Sequence, residues 1–448
     1  MKPTSTFLCR VFLGLLLTGL HLSANAQSAQ NLGADLSEKL TELGEKYNLK
    51  GLAASVVFSD GSVWSGVQSP TGNLGTDMLF EMGSSTKTYT AAIILQMVNE
   101  GALNMTDTLG MFFDQFEHID MGITIKQLLN HTAGTFSYTE HDDFIDVIFN
   151  EPNRVFSPDE VLDLYMKPMR FEPGTNWRYS NTNFFLLGLI IEKVDGIKYE
   201  ESLRKRIFEP YGLEHSYLDG FENYSEPRSG VWIGEETYQT QPYMSLLTGA
   251  WAAGGVVSTT EDLALWAHKL YTNQVLTEAW TDSMKQLTTV KGKERWYGLG
   301  MFYRKYEGTE LYGHGGTTFQ HSTMEYSPEH DFSLVMVINE QTRGAASAPV
   351  QDEMLDFLFS RPWGLNTPEK RAFRTSLYPN PAHGQIHVKT QMTSGELVLF
   401  DLTGKQVLAT SIKEQNTINI GYLEKGTYVA EIRGPKGQPV QRERVLVM

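Results

Sequence analysis

At 448 residues, with 41% hydrophobic and 20% charged side chains, the chain has a globular composition and is too long for one ordinary domain, which points to two or three. Its formal charge of −16 is unevenly divided: residues 27–376 hold 27 basic against 47 acidic side chains, a net of −20, while from Leu377 onward 8 basic residues face 6 acidic ones. That acidic excess argues against nucleic acid or an anionic membrane as partner and says nothing about the fold.

In chain order, Met1 to Ala26 reads as a secretory signal. Lys2 and Arg10 precede the apolar run Val11 to Leu20, and Ala24-Asn-Ala26 follows, so cleavage is expected before Gln27. The run is too short to span a membrane, and no later stretch of eighteen apolar residues exists. The only cysteine, Cys9, lies ahead of the apolar run and is expected to leave with the signal. The exported chain then has neither disulfides nor a thiolate metal site.

Leu36, Leu40, Leu43 and Tyr47 have the spacing of an amphipathic helix. Leu52 to Phe58 and Ser62 to Val67, joined by Ser59-Asp-Gly61, read as a β-hairpin. Met78 to Phe80 reads as the end of a strand. Tyr89 to Val98, almost wholly apolar, reads as a buried helix. Helices with long loops are then expected up to about residue 290, over Thr124 to His131, Pro158 to Met166, Phe184 to Val194 and Glu261 to Tyr271. Strands return at Tyr297 to Tyr303, Glu310 to Gly313, Phe319 to Tyr326 and Phe332 to Ile338, and Ala348 to Phe359 closes the domain as a helix. A strand layer built from both ends of the domain, with a helical insertion between them, fits this order. Residues 363–376 are polar and hold a proline, which suggests a linker. From 377 to 448, short strands about ten residues apart, at Ile386, Leu397, Val407, Ile418, Tyr428 and Val445, suggest a small β-sandwich.

Three stretches can carry chemistry. Glu81-Met-Gly-Ser-Ser-Thr-Lys-Thr88 puts the Ser84 hydroxyl three residues before the Lys87 amine at the start of the buried helix. Residues i and i+3 share a helix face, and free N–H groups at that end favour a developing negative charge. Ser202-Leu-Arg-Lys205 has the same spacing, but it sits among Glu200, Glu201, Arg204 and Arg206 and reads as a solvated helix face. Tyr179-Ser-Asn181 follows Pro173-Gly174 and precedes an apolar helix. In an extended loop Tyr179 and Asn181 would face one way and Ser180 the other. Tyr312-Gly-His-Gly-Gly-Thr317 strips side chains from a strand, which a close approach by a backbone or ligand would require. Of the 11 histidines only His314 is followed two residues later by glycine.

Ser84-x-x-Lys87, Tyr179-x-Asn181 and His314-x-Gly316, in this order and context, resemble the serine β-lactamase and penicillin-binding-protein group. The nearest branch is that of class C β-lactamases, D-Ala-D-Ala carboxypeptidases, D-aminopeptidases and β-lactamase-like esterases. Leu128-Leu-Asn-His-Thr-Ala-Gly134, Phe171-Glu-Pro-Gly174, Leu187-Gly-Leu-Ile-Ile-Glu192 and Gly254-Gly-Val-Val-Ser-Thr-Thr-Glu-Asp-Leu263 add to the likeness, which runs from about residue 33 to 362. The resemblance implies an α/β (α+β) serine β-lactamase-like fold over residues 27–362, with an antiparallel sheet, flanking helices and a helical subdomain. It implies a Ser84 acyl-enzyme, with Lys87 and Tyr179 sharing the proton, Asn181 holding the acyl side, and the N–H groups of Ser84 and Thr317 as the oxyanion hole. No cofactor or metal is implied. Either Lys87 or Tyr179 would need its proton affinity lowered by about 3 units to act as base near neutrality, roughly 4 kcal/mol. The choice between them stays open.

The third motif departs from the Lys-Thr-Gly usual in β-lactamases. Gly315 lacks the hydroxyl and a neutral His314 lacks the charge that would bind a substrate carboxylate. The expected substrate is therefore a small-molecule or peptide-like acyl compound, an ester or an amide without such a carboxylate. β-Lactamase, D-Ala-D-Ala carboxypeptidase or D-aminopeptidase activity is the alternative. A non-catalytic binding protein on the same fold is a further rival, against which both Ser84 and Lys87 are present. An α/β-hydrolase is disfavoured because Gly-x-Ser-x-Gly does not occur. A metallohydrolase built on His131, His141, Asp142 and Asp143 lacks a closed ligand spacing. The tail, through Leu377-Tyr-Pro-Asn-Pro-Ala382, Leu402-Thr-Gly-Lys405 and Leu423-Glu-Lys-Gly-Thr-Tyr428, resembles a type IX secretion C-terminal sorting domain. That implies the type IX machinery as partner, and a secreted or cell-surface protein that passes through the periplasm. On its strands alone the tail would be a small carbohydrate-binding or structural module.

Overall fold

The computed structural model describes residues 32–234, 236–238, 243–361, 375–378, 382, 384–390, 394–401, 405–413, 415–433 and 439–447. The expected signal, and the expected linker as far as residue 374, lie outside them. The chain forms two compact units that divide between Pro362 and Trp363.

The first unit is organised by an antiparallel sheet of β1 (Leu52–Val57), β2 (Val63–Gln68), β3 (Phe302–Tyr306), β4 (Thr309–Thr317), β5 (His321–Ser327) and β6 (Phe332–Ile338). The spatial order is β3-β4-β5-β6-β1-β2, so the two ends of the domain meet where β1 pairs with β6, Leu52 opposite Ile338. Both central strands are buried along their whole length. That is why they read as continuous apolar runs without alternation. The helices include α1 (residues 32–46), α2 (Thr86–Asn99), α3 (Asn181–Asp195), α4 (Thr260–Tyr271) and α5 (Ser347–Phe359). Lys46 and Glu353, 2.7 Å apart, tie α1 to α5. On α4, the Ala264 carbonyl accepts the Ser333 hydroxyl at 2.7 Å, and the Thr260 hydroxyl lies 2.8 Å from that of Ser55, which holds the helix against the central strands. α2 and α3 are buried on nearly every side and share one core with Ala53, Val57, Val335 and Val337 of the sheet.

Two strand expectations need correction. Tyr297 to Met301 is not strand. Gly300, at φ +77 and with no room for a Cβ beside Ala91 of α2, turns the chain there, and β3 starts at Phe302. Conversely, β4 runs on past Gly313 to Thr317. Gly313 has no Cβ to strike the Met324 carbonyl, and pairing continues to Thr317 opposite His321. The glycine-rich stretch is therefore strand throughout.

The second unit is a small β-sandwich. One sheet holds Thr375–Tyr378, Gln385–Thr390 and Gln415–Asn419, and the other Gln406–Ile412, Gly395–Phe400, Gly426–Arg433 and Pro439–Val447. Ile386, Val388, Leu397, Leu399, Ala430, Ile432 and Val445 fill its core. The strand that begins at Thr375 starts two residues inside the expected linker.

Candidate active site

Ser84 lies in a tight turn, Gly83–Ser85, between the short strand Phe80–Glu81 and α2. Two glycines let this turn approach the end of β4. Gly83 has φ +50, and a Cβ there would come within 2.9 Å of the Thr317 nitrogen; a Cβ on Gly316 would strike the Met82 carbonyl. Left-handed backbone and side-chain-free approach are both what glycine supplies. The contact is held by Ser322 Oγ, which donates to the Met82 carbonyl at 2.9 Å, and by Ser85 Oγ, which donates to the His314 carbonyl at 3.2 Å. The backbone of Thr317 and the turn that carries Ser84 are thereby side by side.

Lys87 is fully buried. Its Nζ lies 2.9 Å from Ser84 Oγ, 2.7 Å from Asn181 Oδ1 and 2.6 Å from the Ala253 carbonyl. None of these three partners is a carboxylate. Burial therefore drives the Lys87 amine well below its ordinary 10.5, because desolvation disfavours the charged form with no ion pair to offset it. A neutral amine has two N–H groups and one lone pair. The carbonyl oxygens of Asn181 and Ala253 can take the two N–H groups, and the lone pair is left for the Ser84 hydroxyl.

The Tyr179 ring stands over this amine, its centroid 5.0 Å from Nζ. Burial raises the Tyr179 phenol above its usual range, with only a partial offset from the nearby Ser84 hydroxyl. No well-aligned hydrogen bond closes between the two, and the phenol oxygen has no partner among the described residues. Burial thus separates the two candidate bases, favouring a neutral amine and a neutral phenol. Asn181 opens α3 as its first residue and so does not belong to the preceding loop. Its N–H donates to Ser137 Oγ at 3.0 Å and its Nδ2 to Thr139 Oγ1 at 2.8 Å. Ser180, extended at φ −146, points back into the protein, its hydroxyl 2.9 Å from Thr135 Oγ1, the alternation expected from the sequence.

His314 does not stand at the surface of the cleft. It is 3% exposed, beneath Phe302 at 4.9 Å and Tyr179 at 6.2 Å between ring centroids. Nδ1 donates to the Gly315 carbonyl at 2.6 Å and Nε2 accepts from the Tyr297 hydroxyl at 3.3 Å. Burial lowers its pKa to about 3, so the ring is neutral. The structure gives it a supporting place, as a prop under Tyr179 and Phe302, and leaves Gly315 and Thr317 exposed at the end of β4 nearest Ser84.

The rival Ser202 is not on a solvated face either: it is fully buried and donates to Asp195 Oδ2 at 2.8 Å, while Lys205 is exposed. His141 caps the helix Asp142–Asn150 by accepting the Asp143 N–H at 3.3 Å. Among the described residues no three His, Cys, Asp or Glu side chains group as metal ligands. The sequence reading missed the Ala253 carbonyl, the hydroxyls of Ser137 and Thr139, and the aromatic residues Tyr297 and Phe302. The signals for three of these residues were close to quoted motifs, since Ala253 immediately precedes Gly254-Gly255 and Ser137 and Thr139 follow Gly134.

Comparison with known proteins bears on the fold and on the tail. Residues 36–356 match the family model described as Beta-lactamase, and residues 376–446 match that of a secretion system C-terminal sorting domain, a tail that marks a protein for type IX export to the outside or the cell surface. No helix among the described residues is long and apolar enough to cross a membrane. Penicillin-binding protein 4* of Bacillus subtilis (strain 168) is 25% identical over 379 residues, 78% of this chain and 82% of the relative. A D-stereospecific amidohydrolase from Streptomyces sp. superposes with a TM-score of 0.59 at 26% identity, covering 68% of this chain and 94% of its own. The D-amino acid amidase of Ochrobactrum anthropi SV3 shares the fold with a TM-score of 0.63 at 21% identity, over 74% of this chain and 99% of its own. With the family model covering most of its length, the chain belongs to the β-lactamase family and carries a C-terminal sorting domain.

Proposed function

We propose that this protein is a secreted serine hydrolase that works through an acyl-enzyme on Ser84, on esters or on amides without a strongly bound carboxylate. The observation that carries the reading is the Lys87 amine, 2.9 Å from Ser84 Oγ, in buried surroundings that lower its proton affinity. Lys87 takes the Ser84 proton as Oγ attacks the carbonyl carbon. The N–H groups of Ser84 and Thr317 hold the oxyanion, and Asn181 positions the acyl side with its remaining amide N–H. As the tetrahedral intermediate collapses, Tyr179 gives its proton to the leaving group and recovers one from Lys87. Water then releases the acyl group along the same path in reverse.

The substrate side rests on the third motif. His314 is buried and neutral, and Gly315 has no hydroxyl, so the exposed end of β4 offers a carboxylate neither the charge nor the hydrogen bond expected of Lys-Thr-Gly. Phe302, 38% exposed and stacked on Tyr179 with centroids 6.1 Å apart, adds an apolar rim. The amidohydrolase likeness supports the amide half of the reading. The purified enzyme is expected to hydrolyse nitrophenyl esters with a kcat/KM at least about 100-fold above that for a chromogenic cephalosporin, the factor set by one missing charge-assisted contact. Faster cephalosporin turnover would sink the substrate reading while leaving Ser84 untouched.

Export divides along the chain: residues 1–26 open the route to the periplasm, residues 27–362 are the hydrolase and residues 377–448 direct passage across the outer membrane. Deleting the chain from Leu377 onward is expected to hold active enzyme in the periplasm. Equal activity in the medium with and without the tail would rule this out.

A further inference from the structure

His131 is fully buried beside the site and has no part in the chemistry above. It follows the helix Ile125–Leu129 and its cap Asn130, in left-handed conformation at φ +61. Two of its groups reach the segment that carries Tyr179. Its carbonyl oxygen accepts the Arg178 N–H at 3.1 Å, and its Nδ1 accepts the Ser180 N–H at 3.3 Å. One residue therefore holds the backbone on both sides of Tyr179, while its ring packs against the Tyr179 ring with centroids 4.3 Å apart. The clamp continues along the same stretch, where Gly174 N–H donates to the Thr132 carbonyl at 2.8 Å and Arg170 N–H to the Gly134 carbonyl at 2.7 Å.

The hydrogen bonds also fix the state of the ring. Asn183 Oδ1 accepts from Thr135 Oγ1 at 2.7 Å, so its Nδ2 is the group that faces His131 Nδ1 at 3.0 Å. With two N–H donors on Nδ1, the proton of the neutral ring sits on Nε2. Burial holds the ring neutral. Nε2 has no partner among the described residues, inside a box of Tyr179, Tyr297, Phe184 and Trp177. A buried donor left unpaired is a cost that an apolar side chain would avoid. The imidazole is therefore explained by what Nδ1 does.

We propose that His131 is the positioning residue for Tyr179: its Nδ1 and carbonyl oxygen fix the backbone at Ser180 and Arg178 so that the phenol stays over Lys87 and Ser84. The inference rests on the role given to Tyr179 above. It predicts which substitution is tolerated. Asparagine accepts left-handed backbone and its Oδ1 falls near the place of Nδ1, whereas the longer glutamine side chain puts its amide near the place of Nε2. With a nitrophenyl ester, His131→Asn is expected to keep kcat within about 10-fold of the unsubstituted enzyme, the loss of roughly one hydrogen bond's quality. His131→Gln is expected to lose about 100-fold, the effect of a misplaced catalytic group, mostly in kcat with KM little changed. Thermal unfolding of both variants confirms that the two amides are compared as folded proteins. Equal losses in the two variants, or full activity in His131→Gln, would overturn the proposal. Tyr179→Phe separates it from the reading beneath it. If Tyr179→Phe is inactive while His131→Gln is fully active, only the positioning role falls; if Tyr179→Phe is fully active, the role of Tyr179 falls and this inference with it.

Discussion

Ser84→Ala is expected to lower kcat/KM for any accepted ester by about 10⁴-fold or more, because removing the nucleophile leaves only binding and oxyanion stabilisation. The same change is expected to abolish covalent labelling. Intact-protein mass spectrometry after exposure to a fluorophosphonate should show one adduct on the unsubstituted enzyme and none on the variant. An adduct that persists in Ser84→Ala would place the nucleophile elsewhere and refute the mechanism. The fold should survive, since Ser84 sits in a turn whose position is set by Gly83, Gly316 and the hydroxyls of Ser85 and Ser322.

Lys87→Met is expected to cost about 10²- to 10⁴-fold in kcat/KM, the range for loss of a positioned general base. Stability is expected to change far less. Methionine fills a similar apolar volume and removes a buried amine, which is favourable, but it leaves the oxygens of Asn181 and Ala253 without their donor, at about 1–3 kcal/mol each. These effects oppose one another, so the unfolding temperature should stay within about 5 °C. Loss of activity together with loss of the fold would assign Lys87 to the core and not to the chemistry. The pH dependence carries the same signature. Below its lowered pKa the amine is protonated and cannot take the Ser84 proton, so kcat/KM should rise with pH through that value. For stability, the folded protein binds fewer protons at Lys87 than the unfolded chain between the lowered value and 10.5. Stability of the unsubstituted enzyme should therefore rise with pH relative to Lys87→Met across that window, by up to about 1.4 kcal/mol per pH unit. Urea unfolding of both proteins at two pH values within the window checks the sign.

Much of the architecture was legible because it is local. The hairpin of β1 and β2, the apolar α2 and α3, and the tail strands are all written in period and turn chemistry. So was the choice between the two Ser-x-x-Lys stretches, once Tyr179, Asn181 and His314 were found in order. The errors fall where distant backbone decides. Gly300 ends the expected strand at Tyr297 because α2 lies against it, and β4 continues through Gly313 because the partner strand β5 leaves space only for glycine. The sequence pattern of His314 suggested a cleft residue, and Phe302 and Tyr179 cover it instead.

The sequence by itself put the proposed nucleophile and its partner within reach of one another, since Ser84 and Lys87 are three residues apart where the Gly83–Ser85 turn runs into α2, and that spacing holds wherever the helix lies. It also determined the sandwich tail and the acidic surface of the enzyme part. Only the tertiary structure decided what surrounds the amine. Lys87 meets Asn181 94 residues away and Ala253 166 residues away, and the absence of a carboxylate among its hydrogen-bond partners exists only once those segments close around it. The physical reason is that spacing along a helix is a local property of the backbone, whereas the proton affinity of a side chain depends on solvent exclusion. For Lys87, that exclusion is supplied by chain far from it in sequence.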